Sequence, residues 1–398
     1  MDDRVEGAER VGAVDSRDRI IGSLGGPEPG PLLLCIAGLH GNEPAGVEAA
    51  VRVMKALDGR AERLHGDFTA IAGNLKALKR GVRFVAEDLN RIWTPDRVAA
   101  ARDAIRNGRS GEPANDSSSE SREQMALLTA LSDAIAAARG PVYLLDLHTT
   151  SAPSTPFVTL GDSLDNRALA NRFPLPIVLG LEEQIGGSLL DHLDHEGLIG
   201  IGIESGQHED PASVDAHEAA LWVALASLGI VAADQIPEYS TYRQKLTEAG
   251  RDLPGVMEVR YRQVIGGGDG FQMKSGFRNF DRIRAGQRVG SNRHGTIESP
   301  ESGRILMPLY QAQGDDGFFV VRRVRPVWLR VSAVVRRLRF EVLAPLLPGV
   351  RRVPGRPDAL SLSPWARDGA ITGVLHLMGF TRRVEGDETW MLRSGRQE

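Results

Sequence analysis

Three strand-end positions carry polar residues that a hydrophobic core does not require: His40 with Glu43, His148 with Asp146, and Glu204. In open α/β sheets, functional groups collect just past the carboxyl ends of strands. His40 and Glu43 share the turn Gly38-Leu39-His40-Gly41-Asn42-Glu43-Pro44. A glycine there permits a backbone angle that lets both side chains face one point. With His148 they supply two imidazoles and one carboxylate, which is a catalytic zinc set when a fourth position is left to water. Asp146, two residues before His148, is placed to orient a ligand histidine or a substrate group. A lone histidine is more often a hydrogen-bonded core or surface residue, and a His-x-x-Glu pair is common by chance. The glycine-framed turn and the strand ends bring zinc level with that structural reading.

Glu204 lies in Gly202-Ile203-Glu204-Ser205-Gly206-Gln207, at the end of another apolar run. A carboxylate buried there without a partner costs several kcal/mol, so it needs a metal, a water or a cation nearby. Its natural role is general base toward water activated by a metal; a salt-bridged or exposed glutamate is the equal alternative. Arg83, Asp88, Asn90 and Arg91 form a further cluster. An arginine fork suits carboxylates and, when fixed, stabilises an oxyanion. On its own such a run is an ordinary charged surface loop.

The elements that must position these groups follow from patterning. Leu32–Ala37 is nearly all apolar, as in a strand buried on both faces, and a Gly/Pro-rich turn over 25–31 precedes it. Helical periodicity runs from Ala45 to about Leu57 and from Ser121 to Ala138. Phe68–Ala72, Val142–Leu147, Pro176–Leu179 and Ile199–Ile203 read as strands, with His148 at the end of the second, and His217–Leu228 as a helix. The polar stretch Gly108–Glu120 reads as a surface loop. This alternation predicts an α/β domain over 1–237 with a mixed, mostly parallel sheet and flanking helices. Short alternating segments over 250–325, including Val256–Tyr261, Gly303–Pro308 and Phe318–Val324, predict a smaller β-rich domain. Residues 326–398 form a basic extension, opening with an arginine-studded helix over Val327–Leu346.

His40-Gly41-Asn42-Glu43-Pro44, Asp88-Leu89-Asn90-Arg91 and Asp146-Leu147-His148-Thr149, in that order, resemble the signature of the succinylglutamate desuccinylase/aspartoacylase family, within the zinc carboxypeptidase-like fold group. The resemblance covers roughly residues 15–325 and raises zinc well above its structural rival. It implies His40, Glu43 and His148 as ligands of one Zn2+ per chain. Glu204 would activate water and hand its proton to the leaving amine. Arg83 would polarise the scissile carbonyl, and Asn90 and Arg91 would grip the α-carboxylate of an N-acyl amino acid. Gly276-Phe277-Arg278-Asn279-Phe280-Asp281, Ala285-Gly286-Gln287 and Met307-Pro308 resemble the family's C-terminal β domain, which narrows the active-site mouth. Tyr310 is a candidate for a further substrate contact. The tail from Pro326 lies outside the pattern.

The bulk numbers agree with such an enzyme. The chain has 398 residues and 41% apolar content, enough for a core without disulfides, and its one cysteine, Cys35, reads as packing. A formal net charge of −4 gives no reason to expect nucleic acid. No run approaches the ~18 apolar residues of a membrane span. The opening MDDRVEGAER lacks the apolar core of a secretory signal. The protein is read as cytoplasmic, with a small N-acyl amino acid as partner and room for a homo-oligomer. Two rivals stand: a zinc carboxypeptidase on short peptides, and a non-catalytic module whose basic tail docks a partner. Gly266–Gly270 reads as a turn; His192, His195, His208 and His217 read as structural or exposed, with His208 near enough to Glu204 to line a pocket.

Overall fold

The structure, a computed structural model, describes residues 19–107, 118–367, 369–385 and 388–393. The expectation of no secretory signal in the first ten residues lies outside the described residues, as does most of the predicted 108–120 loop; its last residues, Ser118 to Glu120, cap and open a helix.

Strands β1 (Ile20–Gly25), β2 (Glu28–Ala37), β3 (His65–Ala72), β4 (Val142–Thr150), β5 (Phe157–Leu160), β6 (Ile177–Leu179), β7 (Ile199–Gln207) and β8 (Val256–Val264) build the first part of the central sheet. Helices α1 (Ala45–Leu57), α2 (Leu75–Arg80), α3 (Pro95–Arg106), α4 (Ser119–Ala136), α5 (Leu164–Ala170), α6 (Leu181–Gln184), α7 (Leu189–His195), α8 (Pro211–Ser227) and α9 (Tyr239–Gly250) flank it. Beyond β8 come β9 (Gln272–Met273), β10 (Arg282–Ile283), β11 (Arg288–Asn292), β12 (Gly295–Glu298), β13 (Gly303–Leu306) and β14 (Asp316–Arg323). The main sheet has eleven strands in the order β1-β3-β2-β4-β7-β5-β6-β8-β14-β13-β10. Its centre, β3-β2-β4-β7, is parallel.

β2 explains why this centre holds. Leu33, Cys35 and Ala37 face the cluster built with α1 and α8, while Leu32, Leu34 and Ile36 face the one built with α3 and α4. Both faces of the strand are covered, so apolar residues run without alternation. Cys35 is fully buried and burial pushes its thiol up, which suits packing rather than nucleophilic attack. The strand also starts inside the predicted turn, at Glu28.

The segment 250–325 does not stand apart as its own sheet. β8 pairs parallel to β6, and β14, β13 and β10 extend the same sheet antiparallel; only β9, β11 and β12 form a separate three-stranded sheet. The local alternation is that of antiparallel strands, and no sequence feature distinguishes a new sheet from the edge of an old one. Residues beyond Pro326 fold on a core of their own. Helix α10 (Pro326–Arg337) and a 3-10 stretch, Phe340–Leu346, lead to β15 (Val350–Val353), β16 (Arg356–Leu362), α11 (Ala370–Leu377), β17 (Phe380–Glu385) and β18 (Glu388–Arg393), whose strands order β15-β16-β18-β17. The helix expected over Val327–Leu346 breaks after Arg337, because Arg339 takes a left-handed backbone (φ 56°) and Pro345 denies an amide donor.

Candidate active site

β2 delivers His40 and Glu43 through the turn at its carboxyl end. Gly38 has the left-handed backbone there (φ 72°). Gly41 is needed for room instead: a Cβ on it would lie 1.9 Å from the Ala77 carbonyl carbon. The expectation that a glycine frees this turn therefore divides between two residues with two different reasons.

His40, Glu43 and His148 are buried, and one ligand atom from each lies within 4.8 Å of the others. The two imidazole rings are 5.2 Å apart. His40 Nδ1 is 2.8 Å from Glu43 Oε1, and His148 Nδ1 is 3.2 Å from Glu43 Oε2. The far nitrogens are held by carboxylates. His40 Nε2 sits 3.0 Å from Asp88 Oδ1. His148 Nε2 sits 3.0 Å from Asp146 Oδ2, an ion-pair contact outside hydrogen-bond angles. This is the arrangement in which outer carboxylates fix ring orientation around a metal. Asp146 was expected as an orienting group; Asp88, read only as part of a charged loop, does the same for His40.

Asp88 is itself fixed. Its Oδ2 accepts from Arg83 Nε and Nη2 at 3.1 and 2.9 Å, and its Oδ1 from the Asn90 amide at 2.8 Å. Glu120, fully buried, accepts from the Val85 and Ala86 amides and so shapes the loop that carries Arg83. Arg83 Nη1 lies 3.7 Å from Glu43 Oε1. Burial pushes the Glu43 carboxyl up, but His40 and His148 outweigh it and hold it well below the usual range. Burial lowers His148, and Asp146 and Glu43 reverse this and raise it well above an ordinary histidine. Four buried carboxylates, those of Glu43, Asp88, Asp146 and Glu204, thus surround the two rings with Arg83 as fixed cation. The surplus of negative charge fits a bound cation, and the donor types fit zinc.

β4 runs on to Thr150, so His148 lies within the strand and faces its register partner Glu204 on β7. Glu204 is buried and its Oε2 has no hydrogen-bond partner. Burial raises its carboxyl well above the ordinary value; Glu43 and Asp146 add to this, and His148 opposes it. An orphaned acid of this kind costs stability and is found where a reacting group docks. Behind the strands His217, fully buried, binds Ser205 Oγ at 2.8 Å, and burial pushes it down to about 3.

All seven predicted site residues line one cleft that opens to solvent. Asn90 Oδ1 accepts from the Leu189 amide at 2.8 Å. Arg91 Nη2 reaches Asp316 Oδ2 at 3.2 Å, while its buried Nε is unpartnered. His208 lines the wall, bonded to Thr149 Oγ1 (2.8 Å) and Gln311 Oε1 (3.0 Å). His192 stacks on Trp93 and His195 contacts Asp191, both outside the donor cluster. Tyr310 is turned to the Lys274 carbonyl and the Phe277 amide. The sequence reading missed Glu182, which faces the cleft, accepts from Ser188 Oγ at 2.6 Å and is raised by burial to about 7. It also missed Asp316. Neither sits in a motif; each enters the cleft because a distant strand or helix folds over it.

Two buried histidines and one carboxylate thus converge near the carboxyl ends of parallel strands, beside Glu204, in an arrangement that could hold one metal ion. Residues 29–226 match the family described as succinylglutamate desuccinylase/aspartoacylase catalytic domain. It is similar to the succinylglutamate desuccinylase of Pseudomonas paraeruginosa, 34% identical over 88 residues, and to that of Ectopseudomonas mendocina, 36% over 61 residues. These matches span 24% and 18% of those proteins, and 22% and 15% of this chain. Its fold resembles a succinylglutamate desuccinylase/aspartoacylase from Rhodobacter sphaeroides (TM-score 0.54, 17% identity, 77% of this chain and 88% of the other). It also resembles the product-bound ectoine utilization protein EutE (DoeB) from Ruegeria pomeroyi (TM-score 0.52, 16% identity, 75% and 86%). Among the described residues, no helix is long and apolar enough to cross a membrane.

Proposed function

We propose that this protein is a zinc-dependent amidohydrolase that removes the acyl group from a small N-acyl amino acid. The observation that carries this reading is the donor cluster itself: His40, Glu43 and His148 within 4.8 Å, facing an unpartnered Glu204 carboxylate. Zinc held by these three residues would supply Lewis acidity, lowering the pKa of a water and polarising an acyl carbonyl.

The chain's own groups do the rest. Glu204 takes the proton from the attacking water and returns it to the leaving amine, a role its burial suits by making it the more basic acid. Arg83, fixed by Asp88, presents its remaining positive edge to the oxyanion that develops on the carbonyl. Asn90 keeps its amide nitrogen for the substrate α-carboxylate, since its oxygen is committed to Leu189, and the orphaned Nε of Arg91 serves the same end. Leu309, Gln311 and Asp316 also line the cleft and support a short substrate over a peptide.

The test is metal analysis of the purified protein with a hydrolysis screen of acetyl and succinyl amino acids against dipeptides. Stoichiometric zinc with turnover of one N-acyl amino acid series is expected. Turnover confined to dipeptides would move the assignment to a carboxypeptidase, and failure to bind zinc would remove it.

A further inference from the structure

The inward side of helix α10 carries Ser332 and Arg336 beside Leu329, which packs against the main core. Ser332 is buried and donates to the Leu377 carbonyl at 3.0 Å. Arg336, 8% exposed, pairs with Asp162 at 2.7 Å, and Arg167 grips the same carboxylate. These contacts seat the helix on the catalytic domain, so Arg336 does not belong to a solvated basic face.

The opposite face is apolar and bare. Val327, Val331, Val334 and Leu338 recur at helical spacing and are between 37% and 59% exposed. Phe340, Val342, Leu343 and Leu346 continue the strip along the 3-10 turn, Leu346 being 80% exposed. Trp328 and Trp365 stand exposed as well, the latter against Gly349. Of thirteen large apolar side chains exposed among the described residues, ten lie between 327 and 365, so the patch is local and not a general feature of the surface. A soluble monomer rarely shows a contiguous patch beyond a few hundred Å2 unless something covers it.

Charge decides what covers it. Residues 322–356 hold ten arginines and one acid, Glu341, in a chain of net charge −4. Arg330 and Arg337 flank the apolar strip on α10, and Arg325, Arg351 and Arg352 are exposed nearby. A two-fold contact with a second copy would press these cations against their own equivalents, at a cost in repulsion. An anionic lipid surface matches both features: apolar side chains enter the acyl boundary, tryptophans sit at the interface, and arginines meet headgroups. The acidic remainder of the chain is repelled, which orients the molecule with α10 downward.

We infer that α10 and the turn after it form a peripheral docking surface for anionic lipid bilayers. The full-length protein is to be floated with phosphatidylcholine vesicles, with and without phosphatidylglycerol. Binding is expected only with phosphatidylglycerol, and release with salt. Val334→Asp should lower the partition coefficient at least tenfold, since it removes an apolar anchor and adds a like charge to the headgroups. Arg330→Gln with Arg337→Gln should lower it about twenty-five-fold, at about fivefold per arginine. Hydrolytic turnover in solution should be unchanged in each, which separates failure here from failure of the deacylase reading. Absence of flotation at low salt would overturn the inference. So would a wild-type dimer that Val334→Asp converts to monomer, because the strip would then belong to a second copy.

Discussion

The catalytic cleft and the outer face of α10 depart from the ordinary partition of side chains in opposite directions. In the cleft, His40, Glu43, Asp146, His148 and Glu204 are buried, although charged groups are costly away from water. On α10, Val327, Val334 and Leu338 are exposed while Ser332 and Arg336 are covered. The two regions differ in how they are held. In the cleft, His40, Glu43 and His148 are held by partners that would be left unpaired if one were removed, while Glu204 Oε2 stands without one. The apolar strip is fixed only by the seam beneath it, so single changes on it should cost the fold within about 0.5 kcal/mol.

That contrast can be broken, beginning with the largest effect. His148→Ala should abolish both zinc binding and turnover; full zinc content by elemental analysis would remove His148 from the ligand set. Glu204→Gln should keep the metal and lose about 10²- to 10⁴-fold in turnover. Wild-type rates in that variant would take Glu204 out of the mechanism. Asp162→Asn strands Arg336 in a largely buried seam and should destabilise by ~3–5 kcal/mol, read from the denaturation midpoint. The Asp162 carboxyl is raised by burial but held below its ordinary value by Arg336 and Arg167. Its contribution is therefore complete above the unfolded value of about 3.9 and is lost as pH falls through the lower folded value. The gap between wild type and Asp162→Asn should close in acid; a constant gap would mean that the pair does not titrate. Asp88→Asn should weaken zinc affinity about 10- to 100-fold, the range for partners that orient a ligand. An unchanged affinity by chelator competition would mean that His40 is held by its packing alone.

The convergence of His40, Glu43 and His148, the proposed ligands, was legible because they sit beside strand ends that announce themselves as apolar runs, and because three motifs fall in order. Asp88 was visible as a residue but not as the partner of His40, since 48 positions separate them and only the loop held by Glu120 brings them together. Glu182 and Asp316 carried no signal: each is one acid among many in the chain, distinguished only by where α6 and β14 place it. Of the elements, β2 and α1 were read within a few residues, because burial on both faces and helical periodicity leave distinct patterns. The segment that became α10 was read as an arginine-studded helix opening a basic extension, with partner docking as a rival role for the tail. Periodicity shows that a helix has an apolar side but not whether the protein or the outside faces it.

The pairing of β8 with β6 has one more consequence. Leu309 and Gln311, which line the cleft, lie in the loop between β13 and β14, and Asp316 opens β14; both strands belong to the same sheet as the strands that carry His148 and Glu204, with β5, β6 and β8 between them. The two strands that anchor this loop are thus tied to the cleft floor through one continuous hydrogen-bonded sheet. Discrimination by size would then act on arrival, as a fixed gauge rejects an oversized part, more than through a domain closing after binding.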